Sequence, residues 1–105
     1  MTTSTKPFIL MNVFTPKPGR LDDFIALQTA ALPNLNAGGA AARGGRLYKA
    51  EDGSKAVLLS TFDSAEEFQR FIASEAFAAH RAKLTPLLDR SEPTRYELVY
   101  ERGEV

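Results

Sequence analysis

Residues 56–84, AVLLSTFDSAEEFQRFIASEAFAAHRAKL, restrict the possible folds of this chain more than any other stretch. Residues 56–62 form a nearly unbroken run of apolar and β-favouring side chains, which predicts a strand covered on both faces. Ser64, followed three residues later by Glu67, matches the capping box that begins many helices. The chain is therefore expected to pass from a buried strand directly into a helix.

Two helical segments are expected after this start, with a break at Ser74. Ser74 is a second N-cap candidate, because its hydroxyl can accept a hydrogen bond from a free backbone N–H. His80, the only histidine in the chain, falls within the apolar stripe of these segments. The apolar members of that stripe recur at helical spacing: Ala65, Phe68, Phe71, Ile72, Phe77, Leu84 and Leu87.

The first part of the chain shows a strand pattern and then a helix pattern. Residues 7–15 predict the first strand, and the following Pro16, Pro18 and Gly19 predict a turn. Pro33 is expected to kink or nearly end the helix that follows, whose apolar stripe is Leu21, Phe24, Ile25, Leu32 and Leu35. Residues 36–45 predict a flexible connection, because their glycines match neither a phosphate-binding nor a dinucleotide-binding loop.

The remaining elements complete a βαββαβ order. Residues 46–51 predict a strand that an Asp52-Gly53 turn joins to the strand at 56–62. Residues 89–93 predict a polar loop, and alternating apolar and charged residues at 94–101 predict the last strand. With right-handed crossovers, this order predicts an α+β, ferredoxin-like fold whose four-stranded antiparallel sheet carries its helices on one face.

The first and third strands are apolar on both of their faces, although the helices can cover only one face of the sheet. An uncovered apolar sheet face in water indicates a partner surface. We therefore expect a homodimer in which two sheets pack face to face.

Composition indicates one ordinary globular domain. The chain has 105 residues, of which 44% are hydrophobic and 25% charged. We assign residues 7–102 to this domain and expect the polar residues 1–6 to be disordered. Thirteen basic and thirteen acidic residues cancel, which argues against nucleic acid or an acidic membrane as a partner. We see neither a membrane-length apolar run nor a signal peptide, and we expect a cytoplasmic protein.

The chemistry-bearing residue types are few. The absence of cysteine excludes disulfides and thiolate chemistry. One histidine with scattered carboxylates matches no common transition-metal site, so no metal is predicted.

Three polar residues interrupt three apolar stripes: Asn12 in the first strand, Gln28 in the first helix and His80 in the last. If the helices pack on the sheet face that carries Asn12, all three converge on one cavity. A mostly apolar pocket with a few convergent polar groups is the usual form of a small-molecule site. The structural alternatives are a satisfied core histidine, an Asn12 that bonds the sheet backbone or lies in the dimer interface, and a purely structural Gln28.

Three runs resemble the antibiotic biosynthesis monooxygenase family of dimeric α+β barrels: NVFTPKPGRLDDF, STFDSAEEFQRFIASEAFAAH and YELVY. The resemblance covers nearly the whole of residues 7–101. It implies a dimer with a pocket between the helices and the sheet of each subunit. The family includes cofactor-independent oxygenases of polycyclic phenols and quinols, haem-degrading oxygenases, and small proteins of unassigned role.

The oxygenase branch implies chemistry on an aromatic substrate with dioxygen and without a bound cofactor. The substrate loses a proton, and its electron-rich anion then reduces dioxygen. His80 is the candidate base, while Asn12 and Gln28 are candidate amide donors to the anion. Tyr48 is a candidate for holding a substrate hydroxyl. The expected pocket walls, which on the helical pattern alone are core residues, are Phe24, Phe68, Phe71 and Phe77.

Two alternatives stay open on the same scaffold. The haem-degrading branch uses an Asn on the first strand, a Trp on the second helix and a later His as iron ligand. Asn12 matches the first of these, and Phe71 stands at the Trp position. His80 falls one residue short of the Trp-to-His spacing of that branch, so its ring would point about 100° away on a helix. The first alternative to an oxygenase is therefore a non-catalytic, ligand-binding or regulatory dimer. The second and less favoured one is a haem-binding or haem-degrading protein.

Overall fold

The computed structural model, which describes residues 7–35 and 43–104, shows a four-stranded antiparallel sheet with helices on one face. The sheet order is β2-β3-β1-β4, which places β3 and β1 at its centre. This is the predicted ferredoxin-like βαββαβ fold. The elements in chain order are β1 (Phe8–Pro16), α1 (Leu21–Leu35), β2 (Gly44–Lys49), β3 (Ala56–Phe62), α2 (Ala65–Ile72), α3 (Glu75–Leu84), a 3₁₀ turn (Thr85–Leu87) and β4 (Leu88–Tyr96).

A tight turn joins β1 to α1, as the prolines and glycine predict. The backbone N–H of Arg20 donates to the carbonyl oxygen of Lys17 at 2.9 Å, and Gly19 has a φ of +78°. Proline at the second position and a positive-φ glycine at the third define a type II turn. The turn lets α1 begin at Leu21.

The β2–β3 hairpin also follows its sequence pattern. The backbone N–H of Ala50 donates to the carbonyl oxygen of Lys55 at 2.9 Å, and Gly53 has a φ of +77°. The strand at 56–62 has the predicted bounds, whereas β2 begins at Gly44 and so includes two residues of the predicted flexible connection. Residues 36–42 of that connection and the predicted disordered residues 1–6 lie outside the described residues.

Two serine caps set the predicted helix starts of α2 and α3. The Ser64 Oγ accepts a hydrogen bond from the Glu67 N–H at 3.2 Å. The Ser74 Oγ accepts from the Phe77 N–H at 3.2 Å and donates to the Phe71 carbonyl oxygen at 2.7 Å. In the described part of the chain, no helix is both long and apolar enough to cross a membrane.

Aromatic rings pack the space between the sheet and the helices. Phe24 is fully buried and packs on Phe14, with a distance of 4.7 Å between the ring centroids. A second aromatic group joins β1, β3 and the two later helices through centroid distances of 4.4–6.2 Å. Its members are Phe8, Phe62, Phe68, Phe71 and Phe77.

The predicted position of the last strand is wrong. β4 spans Leu88–Tyr96, so residues 89–93 form an edge strand and not a polar loop. Pro93 is tolerated there because an edge strand needs hydrogen bonds on one side only. Tyr96 pairs with Ile9 near the start of β1, so β4 has almost no partner strand beyond this point. Residues 97–104 therefore leave the sheet, with exposed fractions of 60% for Leu98, 87% for Val99 and 76% for Tyr100.

The Ser74 cap gives a test of how α3 is fixed. We expect Ser74→Ala to lower the free energy of unfolding by about 1 kcal/mol, because it removes the hydrogen-bond acceptor at the helix start. Urea unfolding at a fixed protein concentration measures this loss. Ser74→Asp is the matched control, since it keeps an acceptor and places a negative charge at the helix N-terminus. Equal losses in the two variants would contradict the capping role.

Candidate functional site

A cavity of about 630 Å³ lies between the inner face of the sheet and the later helices. Strands supply one wall and α2 and α3 the other, and the lining is mainly aromatic and aliphatic. A mainly apolar space of this size suits a small aromatic molecule. The apolar side chains that line it are Leu10, Phe14, Leu58, Phe62, Phe68, Phe71, Ile72, Phe77, Leu84 and Leu88.

Asn12, Gln28 and His80 all line this one cavity, although they come from β1, α1 and α3. The convergence predicted from the three interrupted stripes is therefore present. It arises because α1 and α3 both pack over the sheet face to which Asn12 points. Side chains alternate between the two faces of a strand, so Leu10 and Phe14, each two residues from Asn12, also lie on the inner face.

His80 is buried and held by Gln28. The two side chains are 6% and 2% exposed, and His80 Nε2 lies 2.7 Å from Gln28 Oε1. Because the amide oxygen can only accept, a hydrogen bond between these two atoms requires the proton on Nε2. The other ring nitrogen, Nδ1, is buried without a hydrogen-bond partner among the residues that the structure describes.

Burial lowers the pKa of His80 below its ordinary value, and the positive charge of Lys83 adds to this effect. Removal from water disfavours the charged imidazolium, so the neutral ring prevails at pH 7. A neutral ring with its proton on Nε2 has a lone pair on Nδ1. His80 therefore has the properties of a proton acceptor at the wall of the cavity.

Asn12 is oriented by a neighbour on β4. The Ser91 hydroxyl donates to Asn12 Oδ1 at 3.0 Å. With the carbonyl oxygen engaged in this way, the Asn12 side chain offers its NH₂ group as a hydrogen-bond donor. Such a donor can stabilise negative charge that develops on a bound molecule.

The β4 strand contributes cavity residues that the sequence analysis missed. Asp89, Arg90, Ser91 and Pro93 all line the cavity, but they fall in the segment predicted to be a loop. The length of the first strand could have indicated this. A long strand at the centre of the sheet needs a partner strand of similar length on each side, which requires the last strand to begin before residue 94. Ser60 of β3 was also missed, because a serine in an apolar strand is most simply read as a β-compatible small residue.

The structure does not bring Tyr48 or Phe24 into the cavity lining. Tyr48 pairs with Val57, whose side chain points to the face opposite that of its neighbour, the cavity-lining Leu58. Tyr48 therefore lies on the face away from the cavity, where it is 48% exposed. Phe24 is fully enclosed in the core against Phe14. Of the predicted aromatic walls, Phe68, Phe71 and Phe77 do line the cavity.

The described residues form no cluster of metal-binding side chains. In residues 7–35 and 43–104, no three histidine, cysteine, aspartate or glutamate side chains form a group that could hold a metal. Of the two ring nitrogens of His80, Nε2 is engaged by Gln28 at 2.7 Å.

The buried neutral ring predicts that the protein loses stability as the pH falls from 7 to 5. In the unfolded chain His80 titrates near 6.5, and in the folded chain its pKa is lower. Between these two values the unfolded state binds more protons, so the free energy of unfolding decreases with decreasing pH. The loss begins near pH 6.5, grows by at most about 1.4 kcal/mol per pH unit, and levels off below the folded pKa.

Urea unfolding of the wild type and of His80→Leu at pH 7, 6 and 5 measures this contribution. The leucine variant retains the carboxylate titrations but lacks the imidazole. The wild type should therefore lose stability relative to the leucine variant as the pH falls from 7 to 5. A difference that stays constant across this range would contradict the buried neutral histidine.

The sequence profile of the antibiotic biosynthesis monooxygenase family matches residues 7–83. A comparison with curated proteins finds no match to this chain.

Solved structures share the fold over nearly the full chain. SnoaB, a cofactor-independent oxygenase from Streptomyces nogalater, has a TM-score of 0.81 at 19% identity, covering 95% of this chain and 100% of that one. Rv0793 from Mycobacterium tuberculosis has a TM-score of 0.77 at 24% identity, covering 92% of this chain and 99% of that one. PA3566 from Pseudomonas aeruginosa has a TM-score of 0.79 at 14% identity, covering 94% of this chain and 100% of that one.

The structural likenesses concern the fold, since each lies below 25% identity. The profile match spans well over half of the chain, from β1 to the last turn of α3. This chain belongs to the antibiotic biosynthesis monooxygenase family.

Proposed function

We propose that this protein is a cofactor-independent monooxygenase of a small aromatic, phenolic or quinol-type metabolite. The observation that supports this most is His80, a buried imidazole that lines the aromatic-walled cavity and whose Nδ1 has no hydrogen-bond partner among the described residues. Family membership favours oxygenase chemistry, and SnoaB shows that the fold can host it without a cofactor.

The reaction begins with a proton transfer. His80 Nδ1 takes the proton of a phenolic or enolic hydroxyl, and the Asn12 NH₂ group donates to the resulting oxyanion. The anion gives one electron to dioxygen, and the substrate radical and superoxide then combine at a ring carbon. The peroxide anion formed there takes the proton back from His80 and becomes a hydroperoxide. Where that carbon still carries a hydrogen, loss of water from the hydroperoxide leaves a carbonyl. One oxygen atom enters the product, the other leaves as water, and the substrate supplies all the electrons.

The cavity walls suit such a substrate. Phe68, Phe71 and Phe77 offer flat apolar surfaces for a planar ring system. Bulk water is displaced from these walls when an aromatic ring binds, which strengthens the electrostatic effect of the Asn12 donor on the anion. The same walls fit a quinol better than a charged or strongly hydrated molecule.

The proposal predicts oxygen uptake with a hydroquinone or anthrone-type compound. We expect His80→Ala to slow this uptake by about 10²–10⁴-fold, the usual contribution of a general base. Uptake is followed with an oxygen electrode, and sedimentation verifies that the variant keeps its assembly. Tyr48→Phe is the matched control, because Tyr48 lies on the other face of the sheet and should leave the rate unchanged.

Unchanged turnover in His80→Ala would exclude His80 as the base. Aromatic compounds that bind without oxygen consumption across a broad panel would favour the non-catalytic, ligand-binding dimer. Titration with haemin tests the remaining alternative, and the absence of a Soret shift excludes haem binding.

We also propose that two copies associate through the sheet face opposite the helices. No element of the described chain covers this face. Its central side chains, which alternate with the cavity-lining ones, are Ile9, Met11, Val13, Val57 and Leu59. The apolar segment at Leu98, Val99 and Tyr100 also extends into solvent beyond β4. A second copy supplies matching apolar surface through a two-fold interface.

Sedimentation at micromolar concentration tests this assembly, and we expect a dimer. Met11→Asp should shift the protein toward monomer, because it places a charge in the middle of the apolar face. Gln69→Asp adds the same charge at an exposed position of α2 and should leave the dimer intact. A monomeric wild type at this concentration would contradict the proposal.

A further inference from the structure

We infer that Gln28 is a positioning residue, which holds the proton of His80 on Nε2 and so reserves Nδ1 as the proton-accepting atom. Its consequence for catalysis rests on the proposed function. The position of the proton on the ring is independent of the proposed function, and it can be measured without any substrate.

The contact joins two helices that are distant in the chain. Gln28 extends from α1 and His80 from α3, with 52 residues between them, and Nε2 and Oε1 are 2.7 Å apart. Both side chains are more than nine-tenths buried, so water does not compete for this hydrogen bond. Among the residues that the structure describes, the ring is therefore held by this one hydrogen bond.

The buried surroundings favour one tautomer. With the Gln28 oxygen toward the ring, a proton on Nδ1 would leave two lone pairs facing each other at 2.7 Å. The reversed amide would require the proton on Nδ1, where the described residues offer no acceptor. A buried N–H without an acceptor is rarer and more costly than an unfilled lone pair. The Nε2–H tautomer is thus the one in which the imidazole N–H has an acceptor.

The neutrality of the amide matters as much as its geometry. A carboxylate at position 28 would stabilise the imidazolium and keep the ring protonated near neutral pH, which would abolish its use as a base. Lys83 acts in the opposite sense, since its positive charge lowers the pKa of His80. The charged residues that line the cavity are Arg81 from α3 and Asp89 and Arg90 from β4. Gln28 orients the ring without adding a charge to this set.

A single histidine makes the test direct, since tag-free protein gives only one set of imidazole signals. Long-range ¹H–¹⁵N correlation of ¹⁵N-labelled protein reports which nitrogen carries the proton, and a pH series reports the titration midpoint. We expect the Nε2–H form in the wild type and a mixture of tautomers in Gln28→Leu. In Gln28→Glu the midpoint should move upward by roughly one pH unit or more.

The pH dependence of oxygen uptake is a second measurement, and it would stay unchanged if Gln28 had only a structural role. The pH at which oxygen uptake reaches half its maximum should rise in Gln28→Glu together with the ring titration. Thr29→Ala is the matched control, because Thr29 is an exposed neighbour on α1 and should leave the tautomer, the midpoint and the pH profile unchanged. Should Gln28→Leu fail to fold, Gln28→Glu still tests the inference, since it keeps the size of the side chain.

The outcomes separate this inference from the proposed function. An Nδ1–H tautomer in the wild type, or an unchanged midpoint in Gln28→Glu, would overturn the positioning role whether or not oxygen is consumed. The expected tautomer and midpoint shift, combined with no oxygen uptake on any aromatic substrate, would support the positioning role and overturn the oxygenase proposal alone.

Discussion

The period-two alternation of β1 is the constraint on which the rest of this structure depends. As a central strand, β1 is paired on both edges, so its side chains can point only toward the helices or away from them. Asn12 falls among the inward residues, at the floor of the cavity, while Met11 and Val13 face away. One strand thereby contributes to the site on one face and to an apolar, helix-free surface on the other. A slip of one residue would exchange the two faces and remove both.

The cavity persists because its polar residues are satisfied in pairs. An unpaired buried amide or imidazole would destabilise the fold. Gln28 and His80 bond each other at 2.7 Å, and Ser91 bonds Asn12 at 3.0 Å. Within the described residues, the ring Nδ1 has no hydrogen-bond partner, and Asn12 bonds Ser91 through its amide oxygen and not through its NH₂ group. These are the acceptor and the donor that the proposed reaction uses.

Much of the fold could be predicted, because its signals are local. The Ser64 and Ser74 caps, the turn at Gly19 and the β3 strand depend on residues a few positions apart. The last strand was misplaced because its end is set by β1, a neighbour some 80 residues away in sequence. The alternation of Tyr96, Leu98 and Tyr100 shows that these residues suit a strand. It does not show where the partner strand stops.

The positions at which polar residues interrupt the apolar stripes can be read from the chain alone, and they indicate which polar side chains are carried inward. Which of these side chains touch depends on how the helices pack, because a hydrogen bond requires angstrom-scale distances between helices that the stripe pattern leaves free. Gln28 was predicted as a donor to substrate, and its Oε1 lies 2.7 Å from His80 Nε2. Tyr48 was predicted beside the substrate and is found on the other face, since strand register, and not residue type, assigns a side chain to a face.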